Sequence, residues 1–189
     1  MNIIVTGCAG YIGGTFTYEA LKKGISVIGV DNLSNSNIGT VKSLEEFCPK
    51  KFIFLQQDLL DNNLSNLIPK KEKIDAVFHF AALKSIPQSE LHPETYLKNN
   101  IGGTENLIKL MEANSINKLI FSSSAAVYGK QDIQPIKEKS SLNPNNVYAK
   151  SKVECEKIVE AAAQANISAT IMTSLPTISH SSSQLEGRL

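Results

Sequence analysis

The fold is decided by the stretch Gly7-Cys8-Ala9-Gly10-Tyr11-Ile12-Gly13, whose three glycines separate an apolar run at 3–5 from a helical pattern at 11–23. A side chain at these glycines would block the tight turn, the approach of a pyrophosphate and the packing of helix on strand. The first amides of the helix could then bind phosphates. A glycine triplet can also be an ordinary flexible turn, so the rest of the sequence must decide.

Short apolar runs alternate with helical patterns along the rest of the chain. Such alternation is typical of βαβ units, which form a parallel sheet with helices on both faces. Helical periodicity is present over 93–112 and 145–165. We therefore predict an α/β fold with a doubly wound, Rossmann-type parallel sheet. Its predicted strands are 3–5, 26–30, 51–55, 76–80, 119–122 and 169–172.

The composition excludes several classes of function. The 189 residues are 42% hydrophobic and 20% charged, and no apolar run approaches the roughly 20 residues of a membrane span. The net charge is +1 and the lysines are dispersed, so no basic patch for nucleic acid is expected. Neither the three cysteines nor the three histidines have the spacing of disulfide pairs or metal ligands. We predict a cytoplasmic protein that binds a small molecule, with no metal, membrane or nucleic-acid partner.

An acidic residue after the second predicted strand indicates which dinucleotide binds. Asp31 lies 18 residues after Gly13, where its carboxylate can accept hydrogen bonds from ribose hydroxyls. It would repel the 2′-phosphate of NADP, and the chain's only arginine is Arg188. We therefore predict NAD. Asp58, after the third predicted strand, is placed to meet the adenine, but an acidic residue that opens a loop is more often a turn or cap residue. Spacing alone therefore does not assign Asp58 to the cofactor.

A tyrosine and a lysine on the predicted helix 145–165 form a candidate catalytic pair. Tyr148 and Lys152 are four residues apart and share one helix face. Burial alone would raise the tyrosine pKa, whereas the ammonium and a positive nicotinamide would lower it, so that the phenol could exchange a proton. Ser124 ends a serine run that leaves the fifth predicted strand, and it could relay a substrate proton to Tyr148. The same tyrosine and lysine spacing is also common on helix surfaces.

Six longer motifs are distributed over residues 1–165. They are Thr6-Gly7-Cys8-Ala9-Gly10-Tyr11-Ile12-Gly13, Asp31-Asn32-Leu33-Ser34-Asn35-Ser36, His79-Phe80-Ala81-Ala82-Leu83-Lys84, Asn99-Asn100-Ile101-Gly102-Gly103-Thr104, Ser122-Ser123-Ser124-Ala125-Ala126-Val127-Tyr128-Gly129 and Tyr148-Ala149-Lys150-Ser151-Lys152. Together they resemble the extended short-chain dehydrogenase/reductases, and within that family the UDP-glucose 4-epimerases.

The resemblance implies a role for each matching residue. The NAD-binding set would be Gly7, Gly10, Tyr11, Ile12, Gly13, Asp31, Asn32, Leu33, Ser34, Asn35, Ser36, Asp58, Leu59, Phe80, Ala81, Ala82, Leu83, Lys84, Asn99, Ser122, Tyr148 and Lys152. The UDP-sugar would contact Lys84, Ser124 and Tyr148, and the catalytic residues would be Tyr148, Lys152 and Ser124. In the family's reaction the tyrosine takes the proton of the sugar 4-hydroxyl while a hydride passes to NAD. The 4-keto sugar turns over and is reduced on its other face, which interconverts UDP-galactose and UDP-glucose in galactose metabolism.

Related functions stay open at this point. Ala125 and Ala126 stand where nucleotide-sugar 4,6-dehydratases carry an acidic pair, which argues against net dehydration. Another nucleotide-sugar epimerase of the same family remains an alternative. A non-catalytic NAD-binding or dimerisation module is a further one, because the helices near 93–112 and 145–165 correspond to those that pair in homodimers of the family.

The last residues depart from the resemblance. Members of the family are much longer, and the segment 172–176 replaces their Arg-Tyr-Phe-Asn-Pro pattern, with Ser174 in place of the phenylalanine. We predict an NAD-binding Rossmann-type domain over 1–175 and a divergent tail over 176–189, without most of the small C-terminal substrate domain. A truncated product, a fragment or a degraded gene would each account for this. We expect weakened NAD binding and little or no epimerase turnover, since the open sheet edge would admit water.

Overall fold

Six parallel strands form a single sheet in the computed structural model, which describes residues 1–61, 64, 73–131 and 135–174. The strands are β1 (Asn2–Thr6), β2 (Ser26–Asp31), β3 (Phe52–Gln56), β4 (Ala76–His79), β5 (Lys118–Ser124) and β6 (Ser168–Ser174). Their order across the sheet is β3-β2-β1-β4-β5-β6. The predicted doubly wound parallel sheet is therefore confirmed. The strand order reverses between β1 and β4, and open α/β sheets bind ligands at the carboxyl ends of the strands on either side of such a point.

The connections between the strands are mostly helical. They contain α1 (Tyr11–Lys22), α2 (Ile38–Phe47), α3 (Ile86–Leu91), α4 (Pro93–Leu97), a π-helical turn (Lys98–Gly102), α5 (Gly103–Ala113), a 3-10 turn (Ala125–Tyr128) and α6 (Val147–Ala165). None of the helices within the described ranges is long and apolar enough to cross a membrane. The predicted tail 176–189 and the predicted domain limit at 175 lie outside the described residues.

Alternate residues of the strands build two separate cores on opposite faces of the sheet, because successive side chains in a strand point to opposite sides. Ile3 and Val5 of β1 pack with Leu21 of α1 and Leu44 of α2. Ile4, between them, packs into the other cluster, which contains residues of α5 and α6. Helices thus cover both faces, as the alternation of apolar runs and helical patterns predicts.

Two predicted elements differ from the observed ones near the candidate site. The predicted helix 93–112 is interrupted by the π-helical turn at Lys98–Gly102, and such single turns are frequent at functional sites. Strand β5 continues through Ser124, which pairs with Ser174 of β6. The serine run therefore belongs to the strand, because a neighbouring strand extends the ladder beyond the apolar residues that the prediction relied on.

Candidate cofactor and proton-transfer site

The glycine turn after β1 is too tight for side chains. Gly7 has a φ of +72°, and a Cβ there would lie 2.7 Å from the backbone nitrogen of Ala81. A Cβ on Gly13 would lie 2.1 Å from the carbonyl oxygen of Gly7. The Gly7 amide donates to the carbonyl oxygen of Val30 at 2.8 Å, which fixes the turn against β2. The close packing of the backbone thus explains why glycine is required at Gly7 and Gly13, as the sequence predicts.

The N-terminus of α1 opens into a cleft at the carboxyl ends of the strands. No side chain caps this helix, and its first turn contains no acidic residue. Tyr11 and Ile12 are 67% and 42% exposed, and both line the cleft together with Gly13. An uncapped helix N-terminus provides amide donors and a partial positive charge, which suits an anion such as a pyrophosphate.

Asp31, at the end of β2, carries the acidic group of the cleft. One carboxylate oxygen accepts from the amide of Ala9 at 3.0 Å. The other accepts from the amide of Leu33 at 2.9 Å and from the hydroxyl of Ser36 at 2.7 Å. A carboxylate oxygen has about two acceptor directions, so one direction remains on the oxygen that faces Ala9. This donor set holds the carboxylate in position and suits a ribose hydroxyl as a further donor.

The cleft has a volume of about 930 Å³, including space open to solvent. It brings together most of the residues that the sequence assigns to NAD, from five separate segments. Its lining consists of Gly7, Gly10, Tyr11, Ile12, Gly13, Val30, Asp31, Asn32, Ser34, Asn35, Ser36, Gln57, Asp58, Leu59, Phe80, Ala81, Ala82, Leu83, Lys84 and Asn99.

Some residues of the predicted cofactor set do not line this cleft. Leu33 has a φ of +59° and packs against the core on the α1 side of the sheet. Ser122, Tyr148 and Lys152 lie at β5 and α6, outside the lining. Their roles, like those of the residues in the lining, stay predictions. The prediction that Leu33 binds the cofactor rests only on its place inside a motif. Its left-handed backbone conformation directs the side chain to the core instead.

Two lining residues, Val30 and Gln57, were not predicted from the sequence. The Gln57 amide donates to the carbonyl oxygen of Asp31 at 3.1 Å, so the chain just after β3 runs beside the end of β2. Asp58 accepts from the side chain of Asn32 at 2.8 Å. Gln57 could have been found from the expectation that β2 and β3 are neighbours, because the carboxyl ends of adjacent parallel strands share one edge of the sheet.

A buried asparagine joins the cleft to α6, the helix that carries Tyr148 and Lys152. The side-chain oxygen of Asn100 accepts from the amide of Leu83 at 2.8 Å. Its side-chain nitrogen donates to the carbonyl oxygen of Leu83 and to the hydroxyl of Ser151, each at 3.0 Å. Asn100 lies in the π-helical turn beside Asn99, which lines the cleft. The turn therefore fixes the loop 80–84 relative to α6.

The first turn of α6 is held from two sides, which positions Tyr148. The side chain of Asn146 caps the helix by accepting from the amide of Ala149 at 2.8 Å. From α3, the hydroxyl of Ser89 accepts from the Tyr148 amide at 3.2 Å, and a Glu90 carboxylate oxygen accepts from the Val147 amide at 2.7 Å. These acceptors satisfy amides that an α-helix leaves without internal partners. Asn146 also explains why the helix begins at Val147 rather than at 145.

Lys152 is buried against β5. Its ammonium donates to the carbonyl oxygen of Ser122 at 2.7 Å and lies 4.6 Å from the ring centroid of Phe121. Burial lowers the pKa of Lys152 from 10.5 to about 8, while Cys155 and Glu156 act to raise it. A charge in this position is tolerated because the carbonyl oxygen and the aromatic ring replace part of its hydration.

Burial has the largest effect on the pKa of Tyr148. Burial raises the pKa of the Tyr148 hydroxyl above its ordinary value, hydrogen bonding with the Ser124 side chain opposes that rise, and Cys155 adds to it. The ammonium of Lys152 is directed to Ser122 instead. Desolvation therefore dominates at Tyr148, and the phenol is protonated at neutral pH.

His79, in β4, links the sheet to α5 below this site. Its Nδ1 is 2.7 Å from the hydroxyl of Thr6, and its Nε2 is 3.2 Å from the hydroxyl of Thr104. The Thr104 hydroxyl donates to the carbonyl oxygen of Asn100 at 2.8 Å, so Nε2 must be the donor to Thr104. Burial and the charge of Lys152 lower the pKa of His79 to about 3. The imidazole is neutral, and both of its nitrogens form hydrogen bonds inside the protein.

The geometry combines a glycine turn, an uncapped helix N-terminus and a tyrosine and lysine pair at one edge of the sheet. Comparison with known protein families agrees with the resemblance seen in the sequence motifs. Residues 3–182 match the family described as "NAD dependent epimerase/dehydratase family". The chain belongs to this family. The cofactor of the NAD dependent epimerase/dehydratase family is NAD, as the sequence predicts.

Individual members of the NAD dependent epimerase/dehydratase family are similar over most of this chain. A UDP-glucose 4-epimerase of Yersinia enterocolitica is 40% identical over 161 residues, covering 85% of this chain and 48% of that protein. The solved UDP-glucose 4-epimerase of Bifidobacterium longum, in complex with NAD+ and UDP, is 36% identical, with a TM-score of 0.84 over 92% of this chain and 52% of that one. The UDP-Glc/GlcNAc 4-epimerase of Campylobacter jejuni is 35% identical, also with a TM-score of 0.84, over 91% and 52%. The chain thus spans about half the length of these relatives.

Proposed function

We propose that this chain performs the cofactor-binding and proton-transfer steps of a UDP-glucose 4-epimerase, which interconverts UDP-galactose and UDP-glucose. The observation that carries the proposal is the position of Tyr148, Lys152 and Ser124. Tyr148 hydrogen-bonds with the Ser124 side chain, and Lys152 donates to the carbonyl oxygen of Ser122, so all three residues lie at the end of β5. The identity of the chain to UDP-glucose 4-epimerases supports this substrate.

The cofactor is proposed to bind along the cleft, from Asp31 to Asn99. Amides at the start of α1 bind the pyrophosphate, and the carboxylate of Asp31 accepts from the adenosine ribose. Asp31 also disfavours NADP, because a 2′-phosphate would approach a buried carboxylate that already has a negative charge. When bound, NAD supplies the acceptor and donor of the hydride.

The side chains of the chain itself move the proton. The phenolate of Tyr148 accepts the proton of the sugar 4-hydroxyl. Ser124 hydrogen-bonds the same oxygen and orients it. Lys152 provides a fixed positive charge that, together with the positive nicotinamide of bound NAD, favours this phenolate form before the proton leaves the sugar. The raised pKa of Tyr148 suits the opposite step, in which the phenol returns a proton to a 4-keto oxygen. Ala125 and Ala126 provide no acidic group for elimination of water.

The proposal is tested by conversion of UDP-galactose by the purified 189-residue chain with added NAD, with NAD affinity measured separately by calorimetry. Tyr148→Phe is the matched control, because it removes only the hydroxyl. We expect NAD binding in both proteins and any conversion to disappear in Tyr148→Phe. Conversion that persists in the variant would refute the role of Tyr148. A folded chain that binds no NAD would refute the proposed cleft.

The chain spans about half the length of its relatives, so the same assay also measures whether the residues present are enough to convert the sugar. Efficient conversion of UDP-galactose would show that the residues present suffice for the sugar. Binding of NAD without conversion is compatible with a non-catalytic module, and Tyr148→Phe would then leave the biological effect of the chain unchanged. A homodimer through the helices near 93–112 and 145–165 is part of the same proposal, and sedimentation equilibrium measures it.

A second substrate is favoured by the Campylobacter jejuni neighbour, which is described as acting on both glucose and N-acetylglucosamine forms. The same assay with UDP-N-acetylglucosamine separates the two candidates. A preference for the acetylated sugar would make the chain a nucleotide-sugar 4-epimerase of broader or different specificity, with the same roles for Tyr148 and Lys152.

A further inference from the structure

Three residues of α6 form one row that faces the serine run of β5. Tyr148, Lys152 and Glu156 follow one another at intervals of four residues, and residues at this spacing lie on the same side of a helix. The residues that they meet are consecutive in β5. Tyr148 interacts with the Ser124 side chain, Lys152 donates to the Ser122 carbonyl oxygen, and Glu156 accepts from the Ser123 hydroxyl. The proposed mechanism uses the first two residues of the row and leaves Glu156 without a role.

Both ionisable residues after Tyr148 in this row are buried. Lys152 is 4% exposed and Glu156 is 8% exposed. A buried ammonium or carboxylate is costly unless an opposite charge or hydrogen bonds compensate it. Within the described residues, the ion pairs Lys22–Glu19 and Lys157–Glu154 are instead well exposed. Lys152 and Glu156 are each buried one turn apart on α6, so the burial of both ionisable groups needs a specific explanation.

Other titratable groups near Lys152 are neutral at physiological pH. Cys155, on α6, has its pKa raised by burial, so the thiol stays protonated. His79, facing Lys152 from β4, has its pKa lowered to about 3 and is uncharged. Tyr148 is protonated because burial raises its pKa. Among the described residues that raise the pKa of Lys152, which are Cys155 and Glu156, Glu156 is thus the one that can oppose its charge with a charge of its own.

Ser123 holds the carboxyl group of Glu156 in place and partly offsets the rise in its pKa that burial causes. Burial raises the pKa of Glu156, the hydroxyl of Ser123 lowers it, Glu160 raises it and Lys152 lowers it. The hydroxyl donates to a carboxylate oxygen, and such a bond stabilises the charged form. The carboxylate acts on Lys152 through the protein interior, where charges interact more strongly than in water.

We propose that Glu156 is a positioning residue for the proton-transfer site: its carboxylate, anchored by Ser123, keeps the Lys152 ammonium charged and bound to Ser122 beside Tyr148. This inference deepens the proposed epimerase function and rests on it for its catalytic consequence. A neutral lysine would retain fewer donors for Ser122 and would no longer favour the phenolate of Tyr148. Glu156 thereby acts on Tyr148 through Lys152, without contact to substrate or cofactor.

The direct test is the titration of Lys152 in the folded chain by NMR, with 13C-labelled lysine side chains and the Lys152 signal assigned from Lys152→Arg. Glu156→Gln removes the charge and keeps the size of the side chain. We expect it to lower the Lys152 pKa by about one unit. Glu160→Gln is the matched control, because it removes the same charge one turn further along α6, and it should leave the Lys152 pKa unchanged.

Two further variants keep the test decisive if Glu156→Gln does not fold. Ser123→Ala retains the charge and removes the anchor, so we expect a smaller decrease of the Lys152 pKa. Glu156→Asp retains the charge and should restore most of the wild-type value. An unchanged Lys152 pKa in the folded Gln or Ala variant, or an equal change in Glu160→Gln, would overturn the proposal.

The catalytic consequence is read from the pH dependence of UDP-galactose conversion. In Glu156→Gln, the alkaline limit of activity should move to lower pH by the same amount as the Lys152 titration. A uniform loss of activity at all pH values, with the limit unmoved, would indicate a merely structural role and would contradict the proposal. Absence of conversion in every protein would refute the proposed function, and the NMR titration would still decide the role of Glu156.

Discussion

The protonation state of each buried ionisable residue in this chain depends on the few groups that surround it. Lys152 and His79 are both buried near the end of β5, and burial lowers the pKa of each. At Tyr148 the same desolvation raises the pKa, because the charged form of a phenol is the deprotonated one. The site therefore combines a protonated tyrosine and a neutral histidine with a lysine whose pKa of about 8 leaves its charge dependent on the neighbouring carboxylate.

His79 makes the free energy of unfolding depend on pH. Its pKa is about 3 in the folded chain and 6.5 in the unfolded chain, so below pH 6.5 the unfolded state binds a proton that the folded state does not. The free energy of unfolding should fall by up to about 1.4 kcal/mol per pH unit in that range. Urea unfolding at pH 7, 6 and 5 should give a shallower dependence for His79→Gln. Equal slopes for the two proteins would contradict this prediction.

Gly7 and Gly10 offer a matched pair of substitutions in one turn. Gly7→Ala places a Cβ 2.7 Å from a backbone nitrogen at a φ of +72°, whereas Gly10→Ala places it 3.4 Å from the nearest atom. We expect Gly7→Ala to reduce the free energy of unfolding by at least about 2 kcal/mol, and Gly10→Ala to change it little. Chemical denaturation measures both. A comparable loss in Gly10→Ala would show that the turn is constrained by something other than the approach of Ala81.

Among the structural elements, α6 carries Tyr148, and the first turn of this helix fixes the position of the tyrosine. Three acceptors from Asn146, Ser89 and Glu90 hold the amides of that turn. The π-helical turn reaches the same helix through Asn100 and Ser151. An element so anchored at its N-terminus can hold a side chain within the tolerance that proton transfer requires.

Removal of the α6 cap should affect both stability and Tyr148. Asn146→Ala is expected to cost about 1 kcal/mol and to lower the Tyr148 pKa towards its ordinary value, because fraying of the first turn exposes the phenol. Asn37→Ala is the control, since Asn37 caps α2 in the same way, by accepting from the Gly39 amide at 2.8 Å. It should cost a similar free energy without moving the Tyr148 titration. Ultraviolet titration against Tyr148→Phe distinguishes the two effects.

At the scale of the whole molecule, one sheet with a core on each face supports the cleft. Segments from β1, β2, β3 and β4 all end at the cleft, so a ligand there contacts parts of the chain that are distant in sequence. Such a ligand stabilises the folded state as a whole, because it binds a surface that exists only when the sheet is complete.

NAD should therefore raise the free energy of unfolding of the entire chain. At a concentration one hundred times its dissociation constant, the expected increase is about 2.7 kcal/mol. NADP at the same concentration should give a much smaller increase, because its 2′-phosphate meets Asp31. Urea denaturation with each dinucleotide provides the comparison. Equal stabilisation by the two would refute the assignment of Asp31 as the residue that selects NAD.

Much of the fold follows from local patterns in the sequence. The alternation of apolar runs and helical periods predicted all six strands, and their observed bounds differ by one or two residues at an end. The glycine turn was predictable because backbone conformation depends on the residue itself. Asp31 was placed at the cleft by its position after a strand, since parallel strands end at a common edge, whereas Asp58 was assigned there by the family resemblance.

Other features of the site depend on groups distant in the chain. The π-helical turn at Lys98–Gly102 lies within a segment whose helical periodicity gives no sign of it. The serine run stays in β5 because β6 pairs with it. Leu33 turns to the core although its motif neighbours face the cleft.

The sequence by itself determined the parallel sheet, the dinucleotide turn and the spacing of Tyr148 and Lys152. Only the tertiary structure decided the protonation of Tyr148, the direction of the Lys152 ammonium and the contact of Ser123 with Glu156. The reason is physical: helix and strand periods are set by neighbouring residues, whereas desolvation and charge interactions depend on every group that folding brings within a few ångströms.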